Sequence, residues 1–183
     1  MTLIRRSYLR IAETKSLNMK RYVISYGLWG ALTSIALGLI NWFTIARMLG
    51  PVVSQTLGYL SMIVALLCIP LGIRYYRDKI NDGEVSFGKG FRIGLGITTV
   101  ASTVIAIYGM LFFWIAGEDF NNWSREGLTE AELITLEAQI SQTPSFVYTP
   151  WFQGVMLGLT VVLLGLIINL VSALLLKRTS TNL

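Results

Sequence analysis

The chain has 183 residues, of which 54% are hydrophobic and only 14% charged, with a mean hydropathy of +0.61. A water-soluble domain of this size covers itself with far more polar side chains, so the composition excludes an ordinary soluble domain. There is no histidine and a single cysteine, Cys68, which excludes a disulfide within the chain and leaves no ligands for a Cys/His zinc site. The formal charge of +5 lies in short stretches between apolar blocks. That is a topology signal, and no nucleic-acid partner is expected from it.

Residues 1–18 read as a dispensable basic cytoplasmic leader or as the product of an upstream start codon, because Met19-Lys20-Arg21 is itself a natural start for a membrane protein. Residues 19–183 then form one transmembrane domain. A first apolar span runs over about 22–46, between Arg21 and Arg47. It is too long for the apolar region of a signal peptide and lacks a small-residue cleavage signature. The second span covers about 57–76 and closes on Arg77 and Lys79, with Pro70 expected to free a carbonyl and kink it. The third covers about 91–116, and the fourth about 151–176, stopping at Lys177 and Arg178. Each is long enough for the roughly 20 residues that a ~30 Å hydrocarbon core requires. None shows the alternation of barrel strands, so helices are expected.

With the N-terminus inside, thirteen Lys and Arg fall on the cytoplasmic side and only Arg47 and Arg125 outside. That bias orients the chain with both ends in the cytoplasm. The expected fold is therefore all-α, a polytopic four-transmembrane-helix bundle, N-in and C-in. In the cytoplasmic loop between spans two and three, Asn81-Asp82-Gly83 is a turn signal, and Ser86 or Gly88 opens the next helix. Gly88 and Gly90 do not make a phosphate loop, since no GxxxxGK[ST] and no preceding strand is present. The loop's Lys and Arg are expected to meet anionic lipid head groups. In the external segment, 117–150, Thr129 and Glu132 form a capping box that starts a short helix over 130–142. Leu133, Leu136 and Ile140 form its apolar stripe, and Pro144 ends it. Its acidic residues lack calcium-loop spacing. Trp42, Trp114, Trp123 and Trp151 fit an aromatic belt at the outer interface better than a binding cage.

The span interiors carry no Asp, Glu, Lys or Arg, which argues against ion-coupled transport and against acid–base or nucleophilic catalysis. No cofactor is implied. They do carry small residues at helix-packing spacing: Gly30, Ser34 and Gly38 in span one; Gly58, Ser61, Ala65, Cys68 and Gly72 in span two; Gly90, Gly94, Thr98, Ser102 and Ala106 in span three; Gly154 and Gly158 in span four. Such stripes let helix backbones approach closely, within a chain or between chains. Asn41 and Asn169 are the intramembrane polar residues. Their depths place them near opposite faces, so Asn169 is expected to bond a hydroxyl or carbonyl of an inner neighbour, and Asn41 to reach interfacial water beside Trp42.

Several stretches carry a family resemblance: MKRYVISYGLWGAL, INDGEVSFGKGFRIGLGITTVAS and the closing GVMLGLTVVLLGLIINLVSALLLKR. Together they resemble an uncharacterised group of small four-span bacterial membrane proteins, a domain of unknown function common in Bacteroidetes. Val85-Ser86-Phe87-Gly88 and the glycine-rich opening of span three are the most specific part. The resemblance implies a bacterial cytoplasmic-membrane location and transfers no catalytic or ligand residue. The reading is a non-enzymatic accessory, scaffold or membrane-organising protein, in contact with lipid and with a membrane protein partner or further copies of itself. The alternative is a small channel or exporter subunit acting as a homo-oligomer.

Overall fold

A computed structural model of the chain describes residues 2–178, with side chains from Met19 onward. It is helical throughout, and three stretches are long and apolar enough to cross a membrane: Met19–Ile80, Phe87–Arg125 and Pro150–Leu176. Helix α1 (Thr2–Ile40) passes through a π-helical turn, Asn41–Ile45, into α2 (Ala46–Leu66). The expected leader lies in the first half of α1, and its side chains are outside the described residues.

The loop expected between spans one and two is not a loop. Only Gly50 leaves helical geometry, at φ 75° and ψ 179°, a conformation open to glycine because it has no Cβ. Pro51 follows with its φ preset for a first helical turn. That one break folds the first long stretch back on itself. Tyr22 stacks on Tyr76 with ring centroids 6.2 Å apart, Tyr26 lies 5.9 Å from Tyr75, and Asn41 bonds Ser54, so the two arms run antiparallel. The second arm breaks again at Leu67 before α3 (Cys68–Tyr75). Pro70 has no N–H for the carbonyl of Leu66, so the expected kink falls one turn ahead of the proline.

Helix α4 (Phe87–Arg125) starts at Ser86, whose hydroxyl accepts from the Lys89 N–H. It runs nine residues past the expected end of span three, so the external segment begins as a continuation of that helix. At ~1.5 Å per residue its 39 residues reach well beyond a ~30 Å core. Helix α5 (Glu130–Gln142) carries the complete Thr129–Glu132 capping box. Its residues Leu133, Leu136 and Ile140 are half-buried, and none of α5 is fully buried. A 3₁₀ turn (Ser145–Tyr148) follows Pro144 and leads to α6 (Pro150–Leu176), which opens on a proline.

The broadest interface is α4 against α6, antiparallel, with the α1–α3 hairpin laid against both. Ile69, Ile73, Ile97 and Val161 are fully buried at its centre. One end of the bundle is closed by a two-residue antiparallel bridge, in which Val85 and Arg178 exchange backbone hydrogen bonds of 2.8 Å in each direction. Tyr76 is buried under that clasp with Lys89 5.6 Å over its ring. A cation above an aromatic face is attracted by the ring quadrupole.

Candidate functional site

Two features stand out, a tight seam of small residues and a cavity, and the small-residue stripes divide between them. At the seam, a Cβ on Gly94 would overlap Asn169 Oδ1 and lie 2.5 Å from its Cγ. Asn169 is fully buried and its Nδ2 donates to the Phe91 carbonyl at 3.0 Å. Thr98 is buried against Gly165 and donates its hydroxyl to the Gly94 carbonyl at 2.9 Å. Gly158 sits over Ala106 and the Ser102 carbonyl, and Gly154 over the Met110 N–H and the Ala106 carbonyl, with Gly109 opposite. Gly90 makes ordinary contact with Ile73 and Ala173. On the hairpin, Gly30 meets Cys68 and the carbonyl of Ala65, and Gly72 meets Ile97 and Tyr26. Gly27, Gly96, Gly109 and Gly165 are further close-approach glycines, and none stands among the residues singled out from spacing. Gly165 lies seven residues, two helical turns, beyond Gly158 and so on the same helix face, which is the signal that could have found it.

Gly38 and Gly58 do not pack. A Cβ on Gly38 would meet nothing within 4 Å, and one on Gly58 only Asn41 Nδ2 at 3.9 Å. Both instead line a cavity of about 260 Å³, with Ser34 beside Gly38 on α1 and Ser61 beyond Gly58 on α2. Spacing groups these four with the packing residues. It identifies a helix face, while the surroundings of that face depend on how the helices diverge. Here α2 makes few contacts with α4 and α6, and the gap stays open.

The far wall is aromatic. Tyr108, Phe112, Phe113, Phe120 and Trp123 come from α4, and Trp42 comes from the π turn. Trp42 meets Phe112 and Trp123 edge-to-face at 5.5 and 5.4 Å, the arrangement that ring quadrupoles favour. Trp123 is 7% exposed and donates its indole N–H to the Ala46 carbonyl at 3.0 Å. That carbonyl is among the last before the Gly50 break, where a helix end leaves acceptors unfilled. Trp42 and Trp123 are therefore wall residues and not part of an exposed belt, whereas Trp114 and Trp151 are 75% and 54% exposed.

Asn41 occupies the first position of the π turn, a distortion frequent at functional sites because it re-aims side chains. Its Nδ2 donates to the carbonyl and the hydroxyl of Ser54, at 3.0 and 2.9 Å. The partner expected from sequence is water; the structure supplies Ser54, across the hairpin. Asn41 Oδ1 is buried with no partner. The neighbouring hydroxyls of Ser61 and Thr160 are turned to their own helices, onto Gly58 and Met156 carbonyls. Beyond Trp42 and Trp123 lies a second, polar recess of about 380 Å³ bordered by Arg47, Asp119, Asn122 and Glu126.

The family described as Protein of unknown function (DUF4199) matches residues 26–178. The chain belongs to that family. No curated protein and no solved structure matches the chain. The DUF4199 match opens in α1 and closes at the Val85–Arg178 bridge, so it takes in both the seam and the cavity.

Charge in this DUF4199 chain separates to the two ends of the bundle. Lys20, Arg21, Arg74, Lys79, Arg92, Lys177 and Arg178 are placed around the clasp, most of them exposed. Arg77 bonds Asp78 and, with a longer contact from Arg74, holds its carboxyl below the usual aspartate range. At the opposite end Glu118, Asp119, Glu126 and the α5 acids outnumber Arg47 and Arg125. Among the described residues no group of three His, Cys, Asp or Glu side chains is placed to hold a metal.

Proposed function

We propose that this protein crosses the bacterial cytoplasmic membrane four times, with both ends in the cytoplasm, and acts without catalysis as an accessory or scaffold subunit. The observation that carries the reading is the bundle's polarity. A basic end and an acidic end are separated by outward faces of Trp29, Leu32, Leu163 and Ile167, each more than half exposed. Such faces suit lipid or a partner's helices. The fold-back at Gly50 supports counting the first long stretch as two crossings, since 62 helical residues would extend ~93 Å if straight. The exposed cations around the clasp suit anionic lipid head groups on the cytoplasmic side.

A pore formed by several copies fits less well. On α4, Thr98 and Ser102 face inward, while Thr99 and Thr103 give their hydroxyls to their own helix, to the Leu95 and Thr99 carbonyls. No polar stripe runs the length of that helix for a water path, because exposed Ile107, Leu111 and Trp114 continue the face beyond Thr103. Native mass spectrometry of the protein extracted from its own membrane into lipid nanodiscs tests the reading. A fixed complex with a second protein is expected; a closed homo-oligomer without one would overturn it in favour of the pore.

A further inference from the structure

We infer that the cavity between α1, α2 and α4 binds a small lipid-soluble molecule of one or two rings that carries a hydrogen-bond donor. This goes beyond the accessory reading and does not depend on the number of crossings. Size is the first argument. A cavity of roughly 150 Å³ takes up benzene, and drug-sized ligands occupy roughly 300–1,000 Å³; the 260 Å³ here suits a ring with a short substituent. The wall chemistry is the second. Aromatic side chains from α4 and the π turn present faces and edges to an aromatic guest.

The third argument is the acceptor. Asn41 Oδ1 is buried at this wall without a partner, while the same amide's Nδ2 is held in place by two bonds to Ser54. A buried polar atom left unpaired is costly, and a donor on the guest completes it. Water is a poor occupant because it needs two to four polar partners, while the surface lining this cavity is mostly apolar and the Ser61 and Thr160 hydroxyl protons go to their own helices. A lipid acyl chain lacks the donor. Finally, Gly38 and Gly58 hold the space open, since any side chain there would project into room that nothing else fills.

The test uses the full chain in nanodiscs with Trp29, Trp114 and Trp151 replaced by Phe, so that emission comes from Trp42 and Trp123 at the cavity wall. The probes are 4-butylphenol and butylbenzene, which differ only in the hydroxyl donor. Saturable quenching or shift of emission is expected with 4-butylphenol, about tenfold tighter than with butylbenzene. Asn41→Leu should erase that tenfold difference. Gly58→Leu should abolish saturable binding of both probes while unfolding as the parent does, because its side chain fills the cavity without displacing a neighbour. If Asn41→Leu fails to fold, the probe pair and Gly58→Leu still decide. Non-saturable partition alone, equal affinity for the two probes, or undiminished binding to Gly58→Leu would each overturn the proposal.

Discussion

Gly94→Ala offers the sharpest test of how the bundle is held together. The new methyl would occupy the space of Asn169 Oδ1, lie 2.5 Å from Asn169 Cγ and 3.0 Å from Ile69 Cγ2. Ile69 and Asn169 are both fully buried, so neither has room to yield. Asn169 must leave its rotamer and give up its bond to the Phe91 carbonyl. Interhelical hydrogen bonds in membrane bundles contribute about 0.6 kcal/mol on average and up to about 1.7. Overpacking a tight core costs about 1–3 kcal/mol. The expected loss is therefore roughly 2–4 kcal/mol, and Gly94→Glu, which adds a buried charge, should not assemble at all. Asn169→Ala removes the obstructing side chain, and the methyl at position 94 then enters the space it vacates. In a double-mutant cycle followed by denaturing-detergent titration in mixed micelles, the double variant should be less destabilised than the sum of the singles by at least ~1 kcal/mol. Losses that add to within ~0.3 kcal/mol would refute the assignment of Gly94 and Asn169 to one contact.

The two classes of glycine should respond oppositely in the same titration. Gly154→Ala, whose methyl meets backbone atoms of α4, should lose about 1–3 kcal/mol, whereas Gly38→Ala, facing open space, should be neutral or gain up to ~1 kcal/mol from helix propensity. Trp123→Phe keeps the ring packing but loses the 3.0 Å bond to Ala46, and should cost about 1 kcal/mol with a change in the emission of neighbouring Trp42. In α5, the Thr129 backbone N–H and then its hydroxyl hold the Glu132 carboxyl below its ordinary 4.5. A carboxyl depressed in the folded state stabilises above its unfolded value and loses that contribution as pH falls through the folded one. Amide protection at the start of α5 should therefore be level above about pH 5 and decline in acid, while Glu132→Gln should remove the dependence.

Local rules are legible where a few adjacent residues decide the outcome. Thr129 and Glu132 specify a helix start because each satisfies the other's backbone donor, and the Ser86 hydroxyl likewise caps the start of α4. The four apolar blocks are equally plain. The features that the linear pattern hides are set by three-dimensional divergence. Arg47 looks like the end of a span, yet the helix continues to a single glycine break at Gly50, because one residue at positive φ is enough to reverse a chain of helical residues. The acids after Trp114 look like the start of a loop, yet α4 runs through them to Arg125, since helix propensity does not end where hydrophobicity does. Gly38 and Gly58 share the spacing of Gly30 and Gly72, but α2 leans away from α4 at their level and leaves a cavity where the spacing implies contact. The π turn that positions Asn41 and Trp42 has no sequence signature in this chain.

Labelling of single cysteines in intact cells tests the proposed four crossings, with both ends on one side. In a Cys68→Ala background, cysteines replace Met48 beside the Gly50 turn, Ser141 in α5 and Lys79 at the basic end, all exposed positions. A membrane-impermeant maleimide should label the Met48 and Ser141 positions from outside, and the Lys79 position only after the membrane is opened. Protection of the Met48 position, or labelling at Lys79 in sealed cells, would contradict it.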